Sequence, residues 1–407
     1  MATVPKHILN GYRVLDMTHV LAGPTATRLM AEMGAEVIKV EFPPLGDVSR
    51  ALPAHKDGRS AYYVQQNRGK QSICLNLKSE EGQAIIADLI RQSDVLIENF
   101  APGVIGRLGF PWEKVHEINP RIVMCSISAF GQTGELSALP GFDYIAQAYS
   151  GIMGMIGDPD GPPSFPMAGI GDVMTGVHAA CAIGFALLHI ARGGEGQYLD
   201  ISLLDAYTHC HELNIQLYSM TQGAAEPTRS GHHHFAVCPL GLFKGKEGYI
   251  CIIALQPQWG GVCRAIGRPE LETDPRYDTN EKRVAAADEV IGIVQQWLDG
   301  LSSDAEALAA LESARVPCAP VLKISDVVNH PHMLSRGTIR MVDDPKIGQA
   351  AMPGMPLHFS AFEHNQPLAA AALGEHNSEV LSGLLGYDEA RITDLLERGI
   401  LFSDPGT

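Results

Sequence analysis

Between residues 12 and 128 the sequence keeps switching period, and this alternation constrains the fold more than any other feature. "YRVLDM" (12–17) is a short apolar run with strand character. "PTATRLMAEMGA" (24–35) follows as a helix that opens on Pro24 and runs into Gly34. "EVIKVE" (36–41) and "QSICLNL" (71–77) are again strands. Ser79, Glu80 and Glu81 then open a helix with Ile85, Ile86, Leu89 and Ile90 on one face. "DVLIENF" follows as a strand, "WEKVHEI" as a short helix and "RIVMCSIS" (121–128) as another strand. Strands separated by helices predict a mostly parallel α/β sheet, with ligands beyond the carboxyl ends of the strands.

A chain of 407 residues has room for two or three domains at about 100 to 200 residues each. The expected division is a large domain over residues 1–220, a linker over 221–231 and a smaller α+β domain over 232–324. Residues 325–407 form a linker and a return to the large domain. "TQGAAEPTRSG" marks the linker by its Gly, Ala, Pro and polar residues. "GYICIIAL" (248–255) and the helical 280–301 belong to the smaller domain.

With 45% hydrophobic and 19% charged residues the composition is that of a globular protein. A formal net charge of −16 argues against nucleic-acid binding and confines any anion site to a local pocket. Eight cysteines without a C-x-x-C pair, and no secretory leader in "MATVPKHILNG", lead us to expect reduced thiols in a cytoplasm. The apolar run "HAACAIGFALLHI" is shorter than the roughly 20 residues that span a bilayer, so no membrane segment is expected.

The turn "HVLAGPTATRLM" has one glycine and is neither a dinucleotide fingerprint nor a phosphate-binding P-loop. Three adjacent histidines, His232, His233 and His234, are poorly spaced for a metal, and none is expected. "GIGDVMTG" (169–176) sets Asp172 between glycines ahead of a long apolar helix. An aspartate there is either an ordinary helix cap or a reactive carboxylate, and these residues alone leave both open.

Several segments occur together in one order: "VLDMTHVLAGPTATRLMAEMGAEVIKVE", "NRGKQSICLNLKSEEG", "DVLIENFAPGVIGRLGF", "CSISAFGQTG", "GFDYIAQAYSG", "GDVMTG", "VPCAPVL" and "LGEHNSEVL". In this the chain resembles the class III coenzyme A transferases, the formyl-CoA transferase or carnitine dehydratase-like family, over nearly its whole length. The resemblance implies an interlaced homodimer, each chain with a large Rossmann-like domain and a small domain, that moves coenzyme A from an acyl-CoA to a carboxylic acid, with a dicarboxylyl donor such as succinyl-CoA as the first expectation. It implies Asp172 as the nucleophile, through aspartyl anhydride and aspartyl-CoA thioester intermediates. It places coenzyme A contacts at Val20, Leu21, Ala22, Asn99, Phe100 and Arg107, with Arg68 and Lys70 as secondary candidates. Some members have a basic residue where this chain has Phe42.

Gly169 and Gly171 are placed to supply oxyanion N–H donors, and Asp143 to orient the site or simply to make a structural hydrogen bond. His232, His233 and His234 lie in a stretch matching the acyl-pocket loop. No metal or redox cofactor is implied, since the coenzyme A thioester is itself a substrate. Related α-methylacyl-CoA racemases use a histidine where this chain has Phe142, which has no proton to transfer. A racemase or isomerase is thus the weaker alternative, and a non-catalytic acyl-CoA-binding protein is the rival from another class.

Overall fold

A computed structural model describes residues 6–404. The chain divides into two units, one comprising 6–151, 166–212 and 328–404, the other 152–165 and 213–327. The boundary thus falls before residue 213, not at 221. All of the expected linker belongs to the second unit, which also takes in Ile152–Phe165, a segment without a compositional signal.

The first unit is built on six parallel strands: β1 (Arg13–Asp16), β2 (Glu36–Glu41), β3 (Lys70–Cys74), β4 (Val95–Glu98), β5 (Val123–Ser128) and β6 (Gln197–Ser202). Their order across the sheet is β3-β2-β1-β4-β5-β6. The order reverses between β1 and β4, and such a switch point opens a crevice beyond the strand ends. β1, β4 and β5 are buried almost throughout, as strands covered on both faces must be.

The connecting helices are α1 (Ala22–Glu32), α2 (Ala61–Asn67), α3 (Glu80–Arg91), α4 (Val104–Arg107), α5 (Trp112–Ile118), α6 (Asp143–Tyr149), α7 (Ile170–Ala191) and α8 (Leu203–His209). α1 begins two residues before Pro24, which is tolerated in a first turn whose N–H groups have no helical partner. Ser79 caps α3 as the sequence predicts, accepting the Gly82 N–H at 3.0 Å. Ile85, Ile86, Leu89 and Ile90 of α3 join Leu15, Ile38, Ile73 and Leu96 of the sheet in one core. Val380, Leu381 and Leu395 from the C-terminal helices close this core. They are tied down where His376 N–H donates to Ser72 O at 2.9 Å and Phe402 N–H to Cys74 O at 3.1 Å.

α7 has 22 residues and extends beyond its apolar run at both ends, and by length and composition alone it could cross a membrane. Part of it packs on α1. A Cβ on Gly176 would lie 2.4 Å from Ala22 O, so this close approach requires glycine.

The second unit has an antiparallel sheet of β7 (Leu240–Lys244), β8 (Tyr249–Ile253) and β9 (Cys318–Pro320), with β8 central. Phe243, Ile250, Ile252, Trp259, Val290 and Leu311 are among its core residues. The helix expected over 280–301 is two, Asn280–Ala285 and Ala287–Gly300. Ala286 leaves helical geometry between them (φ −111°, ψ 32°), without a proline or glycine to signal it.

Candidate active site

The two strands flanking the switch point end on the segments 17–21 and 99–100. Asn99 locks these ends together: its Oδ1 accepts the His19 N–H at 2.7 Å, and its Nδ2 donates to His19 O at 2.9 Å. His19, Phe42 and Phe100 form an aromatic cluster with ring centroids 5.4 to 5.9 Å apart. Burial, reinforced by the charge of Lys39, lowers the His19 pKa, so its ring is neutral. Next to Phe42 lies a cavity of about 500 Å³ lined by Phe42, Pro44, Leu75, Lys78, Leu108 and Phe402 among others. Lys78 and Arg107 are exposed and form no ion pair among the described residues.

Beneath this crevice lies a buried ionic network. Asp16 accepts from the Thr18 N–H at 2.9 Å and pairs with Lys70 at 3.0 Å. Lys39 donates to Thr18 O at 2.7 Å and pairs with Asp47 at 2.8 Å, both side chains being fully buried. Asp47 accepts the Val20 N–H at 3.1 Å. Burial opposes the charge on Asp47, but Lys39 outweighs it and holds the carboxyl well below its usual range. Val20 has φ 65°, a region costly for a β-branched residue, and the Asp47 bond helps hold it there.

The two secondary candidates, Arg68 and Lys70, lie in buried networks of this kind. Lys70 is bonded to Asp16, Asn67 and Pro24 O, and Arg68 to Glu32, Gln65 and Pro353 O. Both are buried. Their charges are met by partners of the interior. Ala22 is likewise buried in the first turn of α1, whereas Val20, Leu21, Asn99 and Phe100 are half-buried at the crevice.

Asp172 stands at the head of α7, and it is not the cap. The helix starts at Ile170 with Gly169 as its N-cap, and Asp172 is its third residue. The Asp172 N–H donates to Asp143 Oδ2 at 2.9 Å, so Asp143 is the residue that satisfies this helix end. The Gly171 N–H donates to Tyr207 Oη at 3.1 Å, which withdraws it as an oxyanion donor. Gly169 remains, with a Cβ position 3.8 Å from Asp172 Cβ and 2.5 Å from Leu21 Cδ2. Leu21 therefore brings the crevice to the head of α7.

Burial, and then the charge of Asp143, push the Asp172 pKa up to about 7. Burial and the charge of Asp172 push the Tyr62 phenol up to about 12, keeping its hydroxyl protonated. The residues that the sequence analysis did not single out are His19, Tyr62, Leu75 and Tyr207. His19 lies inside a quoted segment; Tyr62 and Tyr207 carry no motif signal.

Phe142 is 81% exposed. His232, His233 and His234 belong to the second unit, where the latter two line a cavity of about 240 Å³ with Phe235, Cys238 and Ile291. Among the described residues no cluster of His, Cys, Asp and Glu fit to hold a metal is present.

Residues 9–377 match the model of CoA-transferase family III. The human succinyl-CoA:glutarate CoA-transferase is 35% identical over 396 residues, which cover 97% of this chain and 90% of the relative. The formyl-CoA:oxalate CoA-transferase of Streptomyces coelicolor is 35% identical over 412 residues, covering 97% and 99%. The crystal structure of a CaiB/BaiF family protein from Brucella suis superposes with a TM-score of 0.81 at 30% identity, covering 93% of this chain and all of that one.

Proposed function

The chain belongs to CoA-transferase family III, and on that premise we propose that it transfers coenzyme A from a dicarboxylyl-CoA such as succinyl-CoA to a second carboxylic acid, with Asp172 as the covalent nucleophile. One observation carries this reading. A continuous line of residues runs from the cavity at Phe42, through the His19, Phe42 and Phe100 rings, to Leu21, Gly169 and the half-buried Asp172 carboxyl. A cavity of this size suits the adenosine end of coenzyme A, with Lys78 for a phosphate, and the line leads the thioester toward Asp172.

In the first step the Asp172 carboxylate attacks the thioester carbonyl. The carbon–sulfur bond breaks, leaving a mixed anhydride and a coenzyme A thiolate. The thiolate attacks the aspartyl carbonyl, the donor acid departs as a carboxylate, and Asp172 carries coenzyme A as a thioester. The acceptor carboxylate then attacks this thioester and again expels the thiolate, giving a second anhydride. Attack of the thiolate on the acceptor acyl carbon releases the new acyl-CoA and restores Asp172. Each tetrahedral intermediate carries an oxyanion, for which the Gly169 N–H and the protonated Tyr62 are the nearby donors, each worth about 3 kcal/mol when well aimed. Asp143 anchors the nucleophile through its N–H.

The acceptor and donor are tested by incubating the purified protein with succinyl-CoA and glutarate and following glutaryl-CoA and succinate by mass. Equal amounts of the two products support transfer. Hydrolysis alone, or coenzyme A binding without turnover, contradicts it. Deuterium exchange at the α-carbon of an acyl-CoA would instead favour the racemase reading, which Phe142 opposes for lack of a transferable proton.

Self-association belongs to the same proposal. α7 leaves Val173, Val177, Phe185 and Leu188 exposed, and α6 leaves Ile145 and Tyr149 exposed. Apolar faces of this kind mark contact surfaces, and a second copy of the chain is the occupant we assign. Sedimentation at twice the chain mass supports this, and a monomer contradicts it. We place the enzyme in the cytoplasm on its unpaired thiols, which a cell-fractionation measurement tests.

A further inference from the structure

The head of α7 is held from outside its own helix. A helix start leaves its first N–H groups without helical partners, and the usual remedy is an oxygen on the N-cap side chain. Gly169 has none. The acceptors come instead from α6 and α8: Asp143 takes the Asp172 N–H, and Tyr207 takes the Gly171 N–H. Tyr207 in turn donates its hydroxyl to Asp143 Oδ1, leaving Asp143 Oδ2 for Asp172. Tyr207 is 2% exposed, and its ring lies close against the α7 backbone, since a Cβ on Gly171 would fall 2.1 Å from Tyr207 Cε2.

We propose that Tyr207 is a positioning residue for the transfer reaction, clamping Asp143 and Gly171 so that the Asp172 carboxylate faces the thioester carbon in one orientation. This rests on the reading of Asp172 as the nucleophile. A phenylalanine of the same shape would fill the space and keep the ring packing. What it would lack is the hydroxyl, whose two bonds go to the residue before Asp172 and to the carboxylate that anchors Asp172. Without that hydroxyl, Asp143 is free to turn about its own side chain, and the Gly171 N–H turns toward the nearest remaining acceptor. Both changes shift the reacting carboxylate without touching the coenzyme crevice.

The test compares wild type, Tyr207→Phe, Asp143→Asn and the double variant, with succinyl-CoA as donor and glutarate as acceptor, at a temperature where circular dichroism shows each protein folded. A displaced reacting group is expected to cost Tyr207→Phe roughly ten- to a hundredfold in kcat. The KM for succinyl-CoA stays within about twofold, because the crevice is intact. The double variant loses no more than Asp143→Asn alone, since the two side chains act as one unit. Unchanged kcat in Tyr207→Phe, a loss confined to KM, or losses that multiply in the double variant would each overturn the assignment. Wild type is first trapped with hydroxylamine. Failure to find the adduct on Asp172 overturns the nucleophile reading and this inference with it, whereas an adduct combined with unchanged kcat in Tyr207→Phe overturns this inference alone.

Discussion

Asp143 accepts the backbone N–H of Asp172 at 2.9 Å while its charge stands against ionisation of the same residue's carboxyl. One residue thus anchors Asp172 and opposes its ionised form, the form the proposed mechanism needs. Only the ionised carboxylate attacks a thioester, so kcat/KM for the acyl-CoA is expected to rise with pH and level off above an apparent pKa of about 7. Initial rates from about pH 5 to about pH 9 check this. A profile flat through neutrality contradicts it.

The same shift makes Asp172 a cost to the fold. Its folded pKa of about 7 lies above the ordinary value of 3.8, so the native state binds the proton more tightly than the unfolded chain. The contribution of this group is therefore most favourable below pH 3.8 and is lost as pH rises toward 7. Asp172→Asn removes the ionisation. The variant is expected to melt above wild type at about pH 8, with the difference closing toward about pH 4, while transfer is lost. Thermal melts at the two pH values read this, and a variant less stable than wild type at the higher pH contradicts it.

The network under the crevice gives a different result. Asp47 pairs with the fully buried Lys39 and accepts the Val20 N–H. Asp47→Ala would leave that ammonium without its partner and free the strained Val20 turn. A loss of about 3–5 kcal/mol in urea unfolding is expected. Because Asp47 is held below its usual range, its stabilisation is complete above the unfolded pKa and fades as pH falls through the folded one. The gap between wild type and variant therefore narrows in acid. Equal stability of the two proteins at neutral pH contradicts this account.

Lys78 tests the crevice itself. It is exposed at the rim of the cavity, outside the buried network. Lys78→Ala is expected to raise the KM for acyl-CoA by roughly tenfold with little change in kcat, the signature of lost uniform binding. Steady-state kinetics at fixed ionic strength check it. A fall in kcat at unchanged KM would place Lys78 elsewhere in the reaction.

The sheet was legible because periodicity and burial agree along it: β1, β2 and β4 fall within the apolar runs read from the sequence, and the switch point between β1 and β4 lies where those runs predict a ligand. Asp172 stands out only through its motif, since its local sequence fits a cap equally well, and it is Asp143, 29 residues earlier, whose carboxylate takes the N–H at this helix end. The burial of Arg68 and Lys70 was not legible, because a cation in a motif looks the same whether it faces solvent or a buried Glu32 or Asp16. Tyr207 was invisible because its role depends on two hydrogen bonds to residues 36 and 64 positions away. The break at Ala286 has no sequence signal at all.

The most direct measurement is peptide mapping of the protein after incubation with succinyl-CoA and hydroxylamine. The account predicts a hydroxamate on Asp172 that forms only when the donor is present and that Asp172→Asn abolishes. Turnover of succinyl-CoA and glutarate with no adduct on Asp172, or with an adduct on another residue, would contradict it.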